Sequence, residues 1–166
     1  VERLQSLIKG SKVYYGGRTN IKERYVSPTL LKDVSPEAPV MQQEIFGPVL
    51  PVMAFRDLDD VQDFINKRPK PLALYYFTNN KANARTMLES TTSGGACIND
   101  VIMHVANPYL PFGGVGNSGE GRYHGKRSFE TFSNERAVLY KSTGIDIPLR
   151  YPPYTREKTR QMKWFM

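Results

Sequence analysis

A chain of 166 residues, 40 % apolar and 23 % charged, has one domain's worth of sequence and enough of it to enclose a core. One cysteine excludes an internal disulfide framework, and with only two histidines, His104 and His124, no zinc or other metal centre is expected. No apolar run reaches the ~20 residues of a membrane span and the opening residues lack a signal-peptide pattern, so the expected location is the reducing cytoplasm.

Val1, Leu4, Leu7 and Ile8 have helical spacing with no capping residue ahead of them. Residues 1–9 therefore read as the end of an amphipathic helix, and the chain as a piece cut from something longer. Lys12–Tyr15 reads as a short strand stopped by Gly16 and Gly17. Tyr25–Leu31 reads as another, interrupted by Pro28 and so placed at a sheet edge. Pro36 and Pro39 mark an irregular link to Glu44.

From Val49 the pattern becomes regular. Val49–Phe55 is an apolar strand with Pro51 inside it, which argues for an edge or a bulge. Asp57, with Asp60 three residues on, caps a helix whose apolar face is Leu58, Val61, Phe64 and Ile65. Leu72–Phe77 is a continuous apolar strand of the type buried on both faces. Thr78, Asn79 and Asn80 open a second helix with Ala84, Met87, Leu88 and Thr91 on one face, and Ala96–Ile98 is a third strand. The order strand, helix, strand, helix, strand predicts a mostly parallel βαβαβ sheet of the α/β class with flanking helices. A long irregular stretch to Gly121 follows, apolar at Ile102, Val105, Leu110 and Phe112, which argues for a functional loop. A short helix is expected over His124–Phe132 and a last strand over Ala137–Tyr140.

The net charge of +7 is partly gathered at the end, in Arg150, Arg156, Lys158, Arg160 and Lys163. These read as a solvated tail or, with Trp164, Phe165 and Met166 after them, as a weak contact with an anionic membrane surface. No nucleic-acid motif accompanies them, and no nucleic-acid partner is expected.

Two stretches stand out for chemistry. In Glu44–Leu50 a carboxylate and an aromatic ring precede Gly47-Pro48, a turn in which Pro48 freezes its own φ and restricts Gly47. In Leu110–Gly119 the run Gly114-Val115-Gly116-Asn117-Ser118-Gly119 matches the dinucleotide fingerprint by letter, yet Pro108 and Pro111 bar the central strand such a fingerprint must follow. Its glycines read instead as sites of close backbone approach. Cys97, between Ala96 and Ile98, reads as a buried structural residue with no neighbour in sequence that would activate it. His124 and His104 read as residues that cap or pack; Glu44 could equally be a surface carboxylate and Phe46 a core ring.

Val40–Val49 and Leu110–Gly119 resemble two motifs of the aldehyde dehydrogenase superfamily that follow its catalytic cysteine. Tyr123–Ser133, with Arg150-Tyr151-Pro152-Pro153-Tyr154 after it, resembles the class 3 branch, which includes fatty aldehyde dehydrogenases. The resemblance implies the C-terminal part of a catalytic domain over residues 1–133, an oligomerisation strand over 134–145 that joins a neighbouring subunit's sheet as a homodimer, and a basic tail over 146–166. It implies a family chemistry in which a cysteine thiolate attacks an aldehyde, hydride passes to NAD or NADP, and a glutamate-activated water releases the acid. Carried over by position, Glu44 would accept hydrogen bonds from the nicotinamide ribose and Phe46 would pack near the nicotinamide. Phe112 would wall the aldehyde pocket, and Ile102, Val105 and His124 would line the channel for aliphatic or aromatic aldehydes.

The family's nucleophile and general base would lie ahead of Val1, and Cys97 does not align with the nucleophile. The chain by itself is therefore expected to be inactive, with no catalytic residue of its own. The other readings are a non-catalytic α/β interaction module and a membrane-surface adaptor acting through the tail.

Overall fold

The computed structural model describes residues 1–164; Phe165 and Met166, part of the expected membrane-contacting end, lie outside the described residues. Helix α1 (Glu2–Ile8) begins without a side-chain cap and turns Leu7 inward. Strand β1 (Lys12–Tyr15) pairs antiparallel with β4 (Thr29–Lys32), and β4 pairs parallel with β5 (Val49–Val52), giving the order β1-β4-β5. Between them β2 (Thr19–Asn20) and β3 (Tyr25–Val26) form a small antiparallel ribbon. Leu31 at the centre of β4 is fully buried among Leu7, Val34, Val40 and Val49. Val40 comes from a short helix, α2 (Pro39–Gln42), where an irregular link was expected; Pro39 stands in its first turn, where its missing N–H costs nothing.

The expected strand over Tyr25–Leu31 is two strands with different partners. Pro28 separates β3 from β4, and β4 is the middle strand of its sheet rather than an edge. Pro51 sits where expected, on edge strand β5, opposite Leu31.

Helix α3 (Leu58–Asn66) starts on Asp57, whose side chain accepts the Asp60 N–H at 2.9 Å. Its far end is tied back to the first core by Arg68, which donates to the Met41 carbonyl at 3.1 Å and the Pro36 carbonyl at 2.8 Å. Strand β6 (Ala73–Tyr76), helix α4 (Lys81–Ser90) and strand β7 (Gly95–Ile98) form a parallel β–α–β unit. Asn80 caps α4 by accepting the Ala82 and Asn83 N–H groups at 2.9 and 3.2 Å. Met87 is the buried residue of α4, whereas Leu88, expected on the same face, is exposed.

The elements come in the expected order but not as one sheet: β5 belongs with β4, and β6 pairs only with β7 among the described residues. Pro51 has no N–H to offer a further neighbour of β5. With one partner, β6 is half-buried instead of covered on both faces. Short helix α5 (Met103–Ala106) follows β7, a 3-10 turn spans Gly116–Ser118, and α6 (Gly125–Thr131) occupies the expected place. The expected final strand over Ala137–Tyr140 does not form: this segment takes no regular secondary structure, and Tyr140 is 93 % exposed. A strand needs a ladder partner, and no described residue supplies one here. A second 3-10 turn (Pro148–Arg150) and helix α7 (Arg156–Met162), capped by Thr155, complete the described chain. No helix among the described residues is long and apolar enough to cross a membrane.

Candidate functional site

Glu44 and Phe46 stand on the loop entering β5. Arg3 of α1 holds this loop from outside, donating to the Glu44 carbonyl at 3.2 Å and also to the Ile45 carbonyl. Those bonds spend only backbone acceptors, and no hydrogen bond to the Glu44 carboxylate forms among the described residues. Phe46 is 82 % exposed and has φ +40°. The Glu44 carboxylate is thus left available to accept hydrogen bonds from hydroxyl donors, and the Phe46 ring to meet an apolar partner. Arg3 was not singled out in the sequence; 41 residues separate it from Glu44, and nothing local signals the contact.

Ile102, Val105, Phe112 and His124 all follow β7 in the chain, and the loop carrying Phe112 packs beside the amino end of that strand, where Gly94 lies against the Gly113 carbonyl and Arg122 donates to the Gly94 carbonyl. Ile102 starts α5 with φ +66°, a left-handed value that a β-branched residue rarely takes. Val105 is half-buried on the same helical turn. Phe112 bridges to Tyr123 through two backbone hydrogen bonds, 3.0 and 2.9 Å, which close the loop between them. This closure brings His124 beside Phe112, the rings 6.3 Å apart and 29° from parallel. His124 Nδ1 meets the Leu110 carbonyl at 3.2 Å, and its φ is +81°. His124 therefore stands at the start of α6 without a side-chain cap and packs its ring instead.

The glycine-rich run is no dinucleotide cradle. Before it stands the isolated Phe112–Tyr123 bridge, and within it only a 3-10 turn, Gly116–Ser118. Gly114 is pressed against the Ser118 carbonyl, where any Cβ would collide. Arg122 ties the run to the sheet by donating to the Gly94 and Gly113 carbonyls. A cavity of about 590 Å³ beside it, lined by Gly116, Arg127, Glu130 and Thr131 among others, takes in none of the six candidate residues. Arg127 in its wall pairs with Glu130, which Lys126 outside the cavity also contacts, and the Lys126 hydrogen bond is the main cause holding the Glu130 carboxyl below its usual range.

Cys97 is buried, as expected, but it is not isolated: its Sγ lies 3.3 Å from Nδ1 of buried His104. Seven residues and the turn from β7 into α5 hide this neighbour from a reading of adjacent positions. The two groups of candidates make their contacts in different places, Glu44 and Phe46 against α1 and the other four around α5 and α6.

The chain is thus a mixed α/β piece with parallel strands and a cluster of rings, His104, Phe112, Tyr123 and His124, packed beside them. The aldehyde dehydrogenase family model matches residues 2–138, and the chain belongs to that family. It is 53 % identical over 154 residues to the rat "Aldehyde dehydrogenase, dimeric NADP-preferring", covering 92 % of this chain and 34 % of that protein. To rat "Aldehyde dehydrogenase family 3 member B1" it is 52 % identical over 161 residues, 96 % of this chain and 34 % of the relative. Among solved structures, a substrate-bound Staphylococcus aureus AldH superimposes with a TM-score of 0.80 at 44 % identity, covering 99 % of this chain and 36 % of the other. The chain spans about a third of the length of the curated relatives it matches.

Proposed function

We propose that this chain is the later part of the catalytic unit of an NAD(P)-dependent aldehyde dehydrogenase, where it supplies cofactor and substrate walls to a nucleophile carried elsewhere in the protein. One observation carries the reading. Of the six non-glycine residues with positive φ among the described residues, three are Phe46, Ile102 and His124, all candidate site positions. Left-handed backbone in such residues costs about 1–3 kcal/mol each and gathers where a site must aim a side chain.

In this reading the nicotinamide supplies a hydride acceptor. Glu44 binds the ribose hydroxyls with its two acceptor oxygens, and Arg3 orients the loop that carries it. Phe46 offers its exposed ring to the nicotinamide. Phe112, Ile102, Val105 and His124 enclose an aliphatic or aromatic aldehyde and exclude water from it. Cys97, buried and turned to His104, takes no part in bond formation. The name of the rat relative, NADP-preferring, supports a nicotinamide cofactor without choosing between NAD and NADP for this chain.

Dimerisation through residues 134–145 belongs to the same proposal, supported by exposed Val138, Leu139 and Tyr140, whose backbone is open to a neighbouring strand. So does a cytoplasmic location with weak membrane contact, supported by the free buried Cys97 and by Arg156, Lys158 and Arg160 on α7. A non-catalytic module is disfavoured, since it has no need of strained residues at pocket positions. The test compares two proteins for NAD(P)+-dependent aldehyde oxidation. Full-length enzyme containing this chain is expected to turn over; residues 1–166 alone are expected to match the blank. Turnover by residues 1–166 that Cys97→Ser abolishes would contradict the assignment.

A further inference from the structure

We infer that His104 is a positioning residue that sets the shape of the aldehyde pocket, rooting the wall of Ile102, Val105 and Phe112 on the β6–β7 sheet. The inference rests on the function proposed above and adds a residue to it.

His104 is 9 % exposed and lies on one face of β7. Gly95 and Cys97, two apart on that strand, point to the same side. A Cβ at Gly95 would come within 2.6 Å of the His104 Cδ2 and 3.1 Å of its Nε2, so glycine there makes room for the ring. Cys97 Sγ, 3.3 Å from Nδ1, fixes the ring's rotation. Tyr75, the register partner of Cys97, meets His104 edge-on at 5.7 Å. On the other side Phe112 meets it at 5.5 Å and 61°. The same imidazole thus touches the sheet behind and the pocket wall in front. It also shares one helical turn with Ile102 and Val105, so a shift of His104 carries both neighbours with it.

Packing alone would not select this residue. Nε2 of His104 is buried with no hydrogen-bond partner among the described residues, a defect that a carbocyclic or aliphatic side chain would avoid. What histidine offers in exchange is the directional bond to Cys97, which an apolar ring cannot make.

The test uses the full-length enzyme and straight-chain aldehydes of increasing length. It reads the ratio of kcat/KM for a long aldehyde to that for a short one, with the KM for NAD(P)+ alongside. Cys97→Ala is expected to change the ratio about three- to tenfold, the scale of one lost hydrogen-bonded support, and to leave the KM for NAD(P)+ unchanged. Cys97→Ser, whose hydroxyl can again meet Nδ1, is expected to restore the ratio; His104→Phe, which keeps a ring and loses Nδ1, is expected to behave like Cys97→Ala. If His104→Phe does not fold, the two cysteine variants decide alone. A merely structural His104 would lower Tm and activity equally for all aldehydes and leave the ratio fixed, which would overturn the inference. Wild-type enzyme that oxidises no aldehyde would remove the proposed function and this inference together; wild-type turnover with an unchanged ratio in Cys97→Ala would remove this inference alone.

Discussion

Around fully buried Leu31 the β1-β4-β5 sheet closes an aliphatic core with Leu7, Val34, Val40 and Val49, whereas the β6–β7 pair buries a thiol against an imidazole and surrounds them with Tyr75 and Phe112. Aliphatic contacts are numerous and carry no preferred direction, so the first centre supplies stability. Ring edges and a sulfur–nitrogen contact have preferred angles, so the second centre supplies orientation. The difference separates what holds the chain together from what aims its loops. Asn99, Ile102 and His124, all left-handed, flank the second centre; Phe46 alone of the candidates with that backbone flanks the first.

The contrast can be broken by substitutions, taken from large effects to small. Leu31→Ala, at the best-buried position, is expected to cost about 2–5 kcal/mol in denaturant unfolding of the intact protein, with the aldehyde KM of the surviving fraction unchanged. Gly114→Ala drives a Cβ into the Ser118 backbone and shifts the loop that holds Phe112; it is expected to lower aldehyde kcat/KM by on the order of 10–100-fold in steady-state assays and to lower Tm as well. Asn80→Ala removes the acceptor for two N–H groups of α4 and is expected to cost about 1 kcal/mol, read by thermal unfolding.

The smallest effect concerns Asp33 on the rim of the first centre. The hydrogen bond from Lys12, and next its charge, hold the Asp33 carboxyl below its ordinary 3.8. A lowered carboxyl contributes stability above that ordinary value and loses it as pH falls through the lowered one. Lys12→Ala should therefore be slightly less stable than wild type at neutral pH, with the gap closing in strong acid. Both side chains are largely exposed, so added salt should narrow the gap as well.

Much of this was legible in the sequence wherever the signal is local. Asp57 and Asn80 cap their helices because Asp and Asn accept N–H groups two or three residues ahead, a rule that spacing alone reveals. Pro51 announced an edge strand because it has no N–H to give. Sheet membership was not legible: β5 and β6 look like neighbours in a crossover, but pairing depends on partners far along the chain. Tyr25–Leu31 looked like one strand interrupted by Pro28 because nothing local to the break at Ser27-Pro28 reveals that the chain changes partner there. In the candidate site, Glu44, Phe46, Phe112, Ile102, Val105 and His124 came from motif resemblance, and the structure adds their surroundings. Arg3, 41 residues from Glu44, and His104, seven from Cys97, left no sequence signal because their contacts exist only after folding.

In the function proposed here, this chain supplies pocket walls to a hydride transfer whose nucleophile is carried elsewhere in the protein. The most direct measurement is the single-turnover rate of nicotinamide reduction by full-length enzyme, wild type against Glu44→Gln, at saturating aldehyde. A slower hydride-transfer step with aldehyde KM unchanged is the predicted result, because the amide keeps the shape of the side chain and loses one of the two acceptors for the ribose hydroxyls. An unchanged single-turnover rate would contradict the account.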